Sequence, residues 1–428
     1  MLCGNIDIEE YLPGVCGFAT TPLYQDLVFL SSIFQTIYHI LAGLIPHSWA
    51  AKLEYKNKLY KIWNRMSSGC YFFPAVRAVE IPKKNGGVRT LGVPTVSDRI
   101  AQMVAKIYLE PVIEPHFHAD SYGYRPGKSA IDAVGVTRTR CWSYDWLIEF
   151  DIKGLFDNID HELLMKAVRK HTDCKWVIVY IERWLRAPFR MSTGELVERT
   201  AGTPQGGVIS PLLANLFLHY AFDAWMAKNH PENPWARYAD DGVVHCRTRE
   251  EAEKLLAQLG SRFLECKLEL HPEKTKIIYC KDDKRRGTHP ETKFDFLGYT
   301  FRGRGVKTKD GKLFTGFIPA VSGKASKAMR QTIRGWKIHL RSDTDIEKLA
   351  KEYNKVLVGW NNYYARFCKS DFHAIFHHMN KALIRWAMRK YKKLAGHKTR
   401  ATKWLRVVAA KRRKLFTHWQ MGILPTVG

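Results

Sequence analysis

The sequence predicts an α+β protein in which a mixed unit is followed by a basic, mostly helical region. Three observations carry that reading. Helix-spaced apolar residues alternate with short β-branched or aromatic runs from Asn57 to about Arg302. From about Ser322 onward the pattern is almost entirely helical. Charge is uneven as well: 68 Lys and Arg stand against 41 Asp and Glu, a net charge of +27, and no acid follows Asp371. An excess of that size repels itself and calls for a polyanionic partner. Trp386, Tyr391, Trp404 and Trp419 interleave with the cations of the tail, which favours nucleic acid over a membrane surface. With 46% hydrophobic and 25% charged residues the chain is globular, not disordered.

The elements follow in chain order. Residues 1–56 form an atypical, weakly charged segment. Within it, Leu27 to Ala51 carries no formal charge, a length that approaches a membrane span. Ser31, Ser32, Gln35, Thr36 and His39 dilute its apolarity, and acids precede it where a signal peptide has Lys or Arg. A buried helix is the expected form, a membrane helix the alternative. "AVRAVEIPKKNGGVRTLGVP" reads as two strands around a turn at Asn85-Gly86-Gly87. "WLIEFDI" reads as a strand, and "NIDHELLMKAVRKHT" as a helix opened by Asn158 or Asp160. "SPLLANLFLHYAFDAWMAK" reads as a helix with Pro211 in its first turn, and "KFDFLGYTF" as one strand. Arg302 to Lys312 reads as a basic, Gly-containing joint. The nine cysteines form no CxxC pair, which predicts free thiols in a reducing, cytoplasmic setting. Cys266, His271 and Cys280 are spaced too loosely for a zinc site and read as structural.

Chemistry enters at "WARYADDGVVHC" (235–246). Asp240 and Asp241 stand together between apolar runs, where like charges resist burial. A solvated hairpin tip turning at Asp241-Gly242 is one explanation, a metal site the other. Asp151 tips the balance, because it lies inside its own apolar strand. If the two strands pair, the carboxylates converge, and a divalent cation relieves their repulsion. Two such ions would clamp an in-line phosphoryl displacement.

Here the blocks resemble a known family. "FDIKGLFDNIDH" (150–161), "TPQGGVISPLLANLFLHY" (203–220) and "RYADDGVVHC" (237–246) are similar to the ordered motifs of reverse transcriptases. More narrowly, they resemble the reverse transcriptase/maturases encoded by bacterial group II introns. "VEIPKKNGGVRTLGVPTVSDRIAQ", "SYGYRPGKSAIDAV", "LELHPEKTKI" and "FDFLGYTF" extend the match, and "LVGWNNYYARF" (357–367) resembles the start of the maturase domain. The resemblance implies a right-hand polymerase: fingers and palm with an antiparallel palm sheet over 57–302, then an α-helical thumb and maturase (domain X) region over 303–428. It implies two Mg²⁺ ions, with Mn²⁺ a possible substitute, held by Asp151, Asp240, Asp241 and the backbone carbonyl of Ile152. Lys83 (or its neighbour Lys84) and Arg89 would grip the incoming triphosphate, and Arg125 would lie near template or nucleotide. Gln205 and Gly206 would floor the nucleotide site, with Leu155 or Phe156 as the sugar gate. Lys276 would stand near the triphosphate as proton donor to the leaving pyrophosphate.

Basic residues of the tail, Arg389, Lys390, Lys392, Lys393, Arg400 and Lys403, are the expected RNA contacts. Implied partners are structured RNA (a group II intron or related noncoding RNA), an RNA template with a DNA or RNA primer, and dNTPs, without a membrane. The family's usual N-terminal block and the HNH-type endonuclease of some relatives have no counterpart among these residues, which predicts an endonuclease-lacking type. A domesticated relative working with a noncoding RNA, as in phage defence, and a polymerase-inactive splicing cofactor are the alternatives.

Overall fold

The computed structural model describes residues 49–82, 87–307 and 310–426. Most of the uncharged N-terminal stretch, and Lys83 and Lys84, lie outside the described residues. In chain order the strands are β1 (Val76–Pro82), β2 (Val88–Val93), β3 (Trp146–Asp151), β4 (Phe189–Arg190), β5 (Leu196–Val197), β6 (Trp235–Tyr238), β7 (Asp241–Cys246), β8 (Lys276–Tyr279), β9 (Lys293–Phe296), β10 (Tyr299–Lys307) and β11 (Leu313–Val321). The chain weaves between two compact units. The first takes the residues up to Pro126 with Ile152–His230 and Gly260–Leu270; the second takes Gly127–Asp151, Pro231–Leu259 and His271 onward.

The first unit carries a sheet of order β2–β1–β4–β5 and several helices. Helix Val96–Ile113 starts with a reciprocal capping box between Thr95 and Asp98, and the Asp98 carboxylate also accepts the Tyr71 hydroxyl at 2.7 Å. Helix His161–His171 is capped by Asp160, whose side chain accepts from the Leu163 amide. The expected single helix after Pro211 is interrupted: Ser210–Leu218 passes through a π turn at His219–Asp223 before Ala224–Asn229. Two carbonyls near that turn, Tyr220 and Ala221, are taken by the Arg262 guanidinium.

The second unit carries an antiparallel sheet of order β6–β7–β3–β8 and a three-stranded sheet of order β11–β10–β9. Two sequence expectations fail here. "KFDFLGYTF" is not one strand: Leu297 (φ 51°) and Gly298 (φ 81°) turn the chain back between β9 and β10. Left-handed geometry at both central residues suits a two-residue hairpin, but a leucine there hides the signal. The basic stretch Arg302–Lys312 is not a joint either, since β10 and β11 pair across it from Tyr299↔Val321 to Lys307↔Leu313. The linear division at 302/303 therefore cuts through one sheet.

Downstream, helices Gly323–Gly335, Ile346–Tyr364, Lys369–Lys390 and Lys398–Lys411 enclose a core that includes the fully buried Trp386 and Trp419. Asn380 is its polar keystone. Its side-chain carbonyl accepts from the Trp419 indole and His418, both at 2.9 Å, and its amide donates to the Ile423 carbonyl at 3.0 Å. Trp336 stacks between Tyr353 and Trp360, and Tyr363 donates to the Leu297 carbonyl at 2.7 Å. These aromatics of "GWNNYY" are packing residues.

Candidate active site and nucleic-acid interface

Strand pairing brings the acids together within the second unit. β3 and β7 run antiparallel with Asp151 opposite Asp241, and Asp240 occupies the turn between β6 and β7. That turn is Ala239-Asp240, with Ala239 at φ 57°, not the expected Asp241-Gly242. Gly242 serves a different need. It lies opposite Phe150, and a Cβ there would fall 2.2 Å from the ring. Arg237, fully buried, donates to the Ala239 carbonyl at 3.1 Å and braces the turn.

The electrostatics show the cost of the assembly. Burial, with Asp240 and Asp151 beside it, pushes the Asp241 carboxyl up to about 7. Glu149, two residues before Asp151 on β3, is pushed up to about 8 by burial, Asp295 and Asp241. The sequence reading missed it, though it stands in the same apolar run. Lys274 supplies a counter-charge at 2.7 Å from the Asp151 carboxylate. Lys276 does not reach that carboxylate: it sits opposite Glu149 in the β3–β8 register and pairs with Glu291 at 3.6 Å. Among the described residues no three His, Cys, Asp or Glu side chains stand in a metal-holding arrangement.

A second group of candidates meets in the first unit. The Arg89 guanidinium, on β2, donates to the Gln205 side-chain carbonyl, while the Gln205 amide donates to both Asp157 oxygens at 2.9 and 3.0 Å. Gly206 (φ 129°) is required by its close surroundings, since a Cβ would fall 2.4 Å from the Gly92 carbonyl. The same approach lets the Gly92 amide bond the Gln205 carbonyl at 3.0 Å. Half-buried Arg199 lies over the Phe189 ring and feels the Asp157 charge. Neither Asp157 nor Arg199 was singled out from sequence, because only the fold brings Asp157 to Gln205 and Arg199 near Asp157.

Of the paired gate candidates, Leu155 is only 2% exposed and belongs to the core, whereas Phe156 is half-buried. Ile152 is buried and bridges Leu270. Arg125 is a correction. All three guanidinium nitrogens are spent on Glu114 and the His118 and Ser121 carbonyls, leaving its side chain 6% exposed. It pins a loop instead of facing template or nucleotide.

In the tail, Arg389, Lys392, Lys393, Arg400 and Lys403 are exposed. Arg400 and Lys403 line a groove with His397 and Lys398 at the start of helix Lys398–Lys411. Lys390 is the second correction: its ammonium bonds the Ser342 and Thr344 carbonyls and pairs with Asp345 at 3.2 Å.

Residues 81–301, more than half of the chain, match the family Reverse transcriptase (RNA-dependent DNA polymerase). The chain belongs to the reverse transcriptase family. Residues 326–404 match Group II intron, maturase-specific domain, so this reverse transcriptase is of the group II intron-encoded, maturase-bearing kind. Protein YkfC of Escherichia coli K12 is 33% identical over 256 residues, 51% of this chain and 67% of that protein. Group II intron-encoded protein LtrA of Lactococcus lactis subsp. cremoris is 36% identical over 165 residues, 38% of this chain and 27% of LtrA. The putative COX1/OXI3 intron 1 protein of Saccharomyces cerevisiae is 28% identical over 238 residues, 55% of this chain and 28% of that protein. The aligned stretch thus spans two thirds of the first relative and under a third of the other two. Among the described residues of this reverse transcriptase, no helix is long and apolar enough to cross a membrane.

Proposed function

We propose that this reverse transcriptase extends a primer with deoxynucleotides on an RNA template, and that its maturase region binds group II intron RNA and assists its splicing. The observation that carries the polymerase reading is the opposition of Asp151 and Asp241 on adjacent strands, with Asp240 in the turn beside them. The donor set fits magnesium: hard carboxylate oxygens, one of them on a carboxyl pushed up to about 7 beside its acidic neighbours. Asp151, Asp240 and Asp241 would hold the ions, with the Ile152 carbonyl as a further oxygen. When bound, Mg²⁺ (or Mn²⁺) would lower the pKa of the primer hydroxyl and neutralise charge on the leaving phosphates.

The chain's own residues do the rest. Lys274 balances the Asp151 charge. Asp157 and Gln205 fix the Arg89 guanidinium, which grips the triphosphate together with Lys83 or Lys84. Phe156 presents the ring that excludes a 2′-hydroxyl. Lys276 would serve as the acid for the leaving pyrophosphate only after release from its pairing with Glu291. Arg389, Lys392, Lys393, Arg400 and Lys403 bind phosphates of structured RNA. The described cysteines are all free thiols, which supports a reducing location such as the cytoplasm.

Primer extension on an annealed RNA template, with and without a chelator, tests the reading. Magnesium-dependent incorporation of dNTPs is expected. RNA binding and splicing assistance without any extension would replace it with the splicing-cofactor reading.

A further inference from the structure

The loop from Lys281 to Thr292, with Lys293 on β9, Arg302 and Gly303 on β10 and Thr315 on β11, lines an open polar cleft of about 690 Å³. Four cations face it: Lys281, Arg286, Lys293 and Arg302. Its two acids are already committed. Asp282 accepts the Lys284 and Arg285 amides at 2.9 and 3.0 Å, and Asp283 accepts the Thr315 amide at 2.6 Å. Among the described residues, none of the four cations forms an ion pair.

The cleft is also held in shape. Arg285, 8% exposed, donates to the carbonyls of Cys141, Cys280 and Trp142 at 2.7 to 2.9 Å and pairs with Asp145 at 2.7 Å. Gly303 lines the cleft because a Cβ there would fall 2.9 Å from the Lys281 carbonyl. With four cations against two carboxylates the hollow keeps a net positive charge, which an entering anion relieves. None of its lining residues is aromatic, so it offers no face on which a base could stack.

We propose that this cleft binds backbone phosphates of an RNA strand. The inference rests on the RNA-binding reading above but uses none of the residues assigned there. It adds a phosphate site in the second unit, separate in sequence from the basic tail.

The test uses the full-length protein with Lys281→Gln, Lys293→Gln and Arg302→Gln combined. A control carries Lys228→Gln, Lys254→Gln and Lys351→Gln, the same charge change at exposed positions elsewhere. Both are titrated against a group II intron RNA at several salt concentrations, after melting curves show the fold intact. The cleft variant is expected to bind at least about tenfold more weakly at low salt than the control. Its log–log salt slope should be shallower by roughly 0.7–0.9 for each phosphate that it no longer neutralises. Independently, RNA should protect Lys281 and Lys293 of the unaltered protein from acetylation. If extension on a short annealed primer falls in parallel, the strand served is template or primer; if extension persists, it is the folded RNA. Either result supports the site. A slope and affinity equal to the control, or equal acetylation with and without RNA, overturns it while leaving the polymerase and tail readings standing. Failure of the unaltered protein to bind RNA overturns this inference and its parent together.

Discussion

Leu155 and Phe156 are neighbours on one short helix, yet they face different surroundings. Leu155 is 2% exposed, so Leu155→Phe should overpack the core by about 1–3 kcal/mol without sharpening sugar choice. Phe156→Ala should raise ribonucleotide incorporation by about tenfold or more in competition assays, since a single steric exclusion is worth about that much. Unchanged discrimination in Phe156→Ala would remove it from the gate. His245 offers a second residue-level test. It is fully buried on β7, neither ring nitrogen has a hydrogen-bond partner, and burial pushes its pKa down to about 3. The folded state therefore keeps it neutral while the unfolded chain takes up a proton below about pH 6.5. That contribution to stability is lost as pH falls from 6.5 towards 3. His245→Leu should gain on the native protein by about 1.4 kcal/mol for each pH unit below about 6.5. Urea unfolding at about pH 7, 6 and 5 checks this, and parallel profiles would contradict it.

At the scale of elements, the sequence showed the acids best where they were most out of place. Asp151 and the Asp240-Asp241 pair stand in apolar runs, so their cost was visible before any pairing was known. Lys274 and Asp157 were not, because a lysine in a polar loop and an acid in a short helix carry no local anomaly. Their roles come from β3 meeting the loop before β8, and from Gln205 meeting the helix. The β9–β10 turn was hidden for the opposite reason: Leu297 adopts a left-handed conformation that a leucine gives no cause to expect. Helix Lys369–Lys390 and its continuation separate two kinds of lysine. Lys390→Gln should cost about 1 kcal/mol of stability and leave the RNA salt slope unchanged, because its ammonium holds the Ser342 and Thr344 carbonyls. Lys392→Gln with Lys393→Gln should do the reverse, flattening the slope without lowering the melting temperature. Melting curves and RNA titrations on the two variants decide, and a shared effect would contradict the division.

For the whole molecule, a net charge of +27 and carboxylates gathered on one sheet serve different ends. On the proposed reading, spread cations would give affinity for an RNA backbone that any variant of the sheet should retain. The acids would give chemistry that no amount of RNA affinity can replace. The order of the motifs was legible along the chain, but its division into two units, each built from separate segments, was not. Segments far apart in sequence, such as Gly127–Asp151 and His271 onward, share one unit through the β3–β8 pairing and through side chains such as Arg285, which reaches Cys141, Trp142 and Asp145. The central claim is that Asp151, Asp240 and Asp241 act as one metal-dependent centre. Its most direct test is primer extension by Asp240→Ala beside RNA binding by the same protein. Extension should fall by about 10³-fold or more while RNA affinity stays within about twofold. Extension at the native rate by a well-folded Asp240→Ala protein would contradict it.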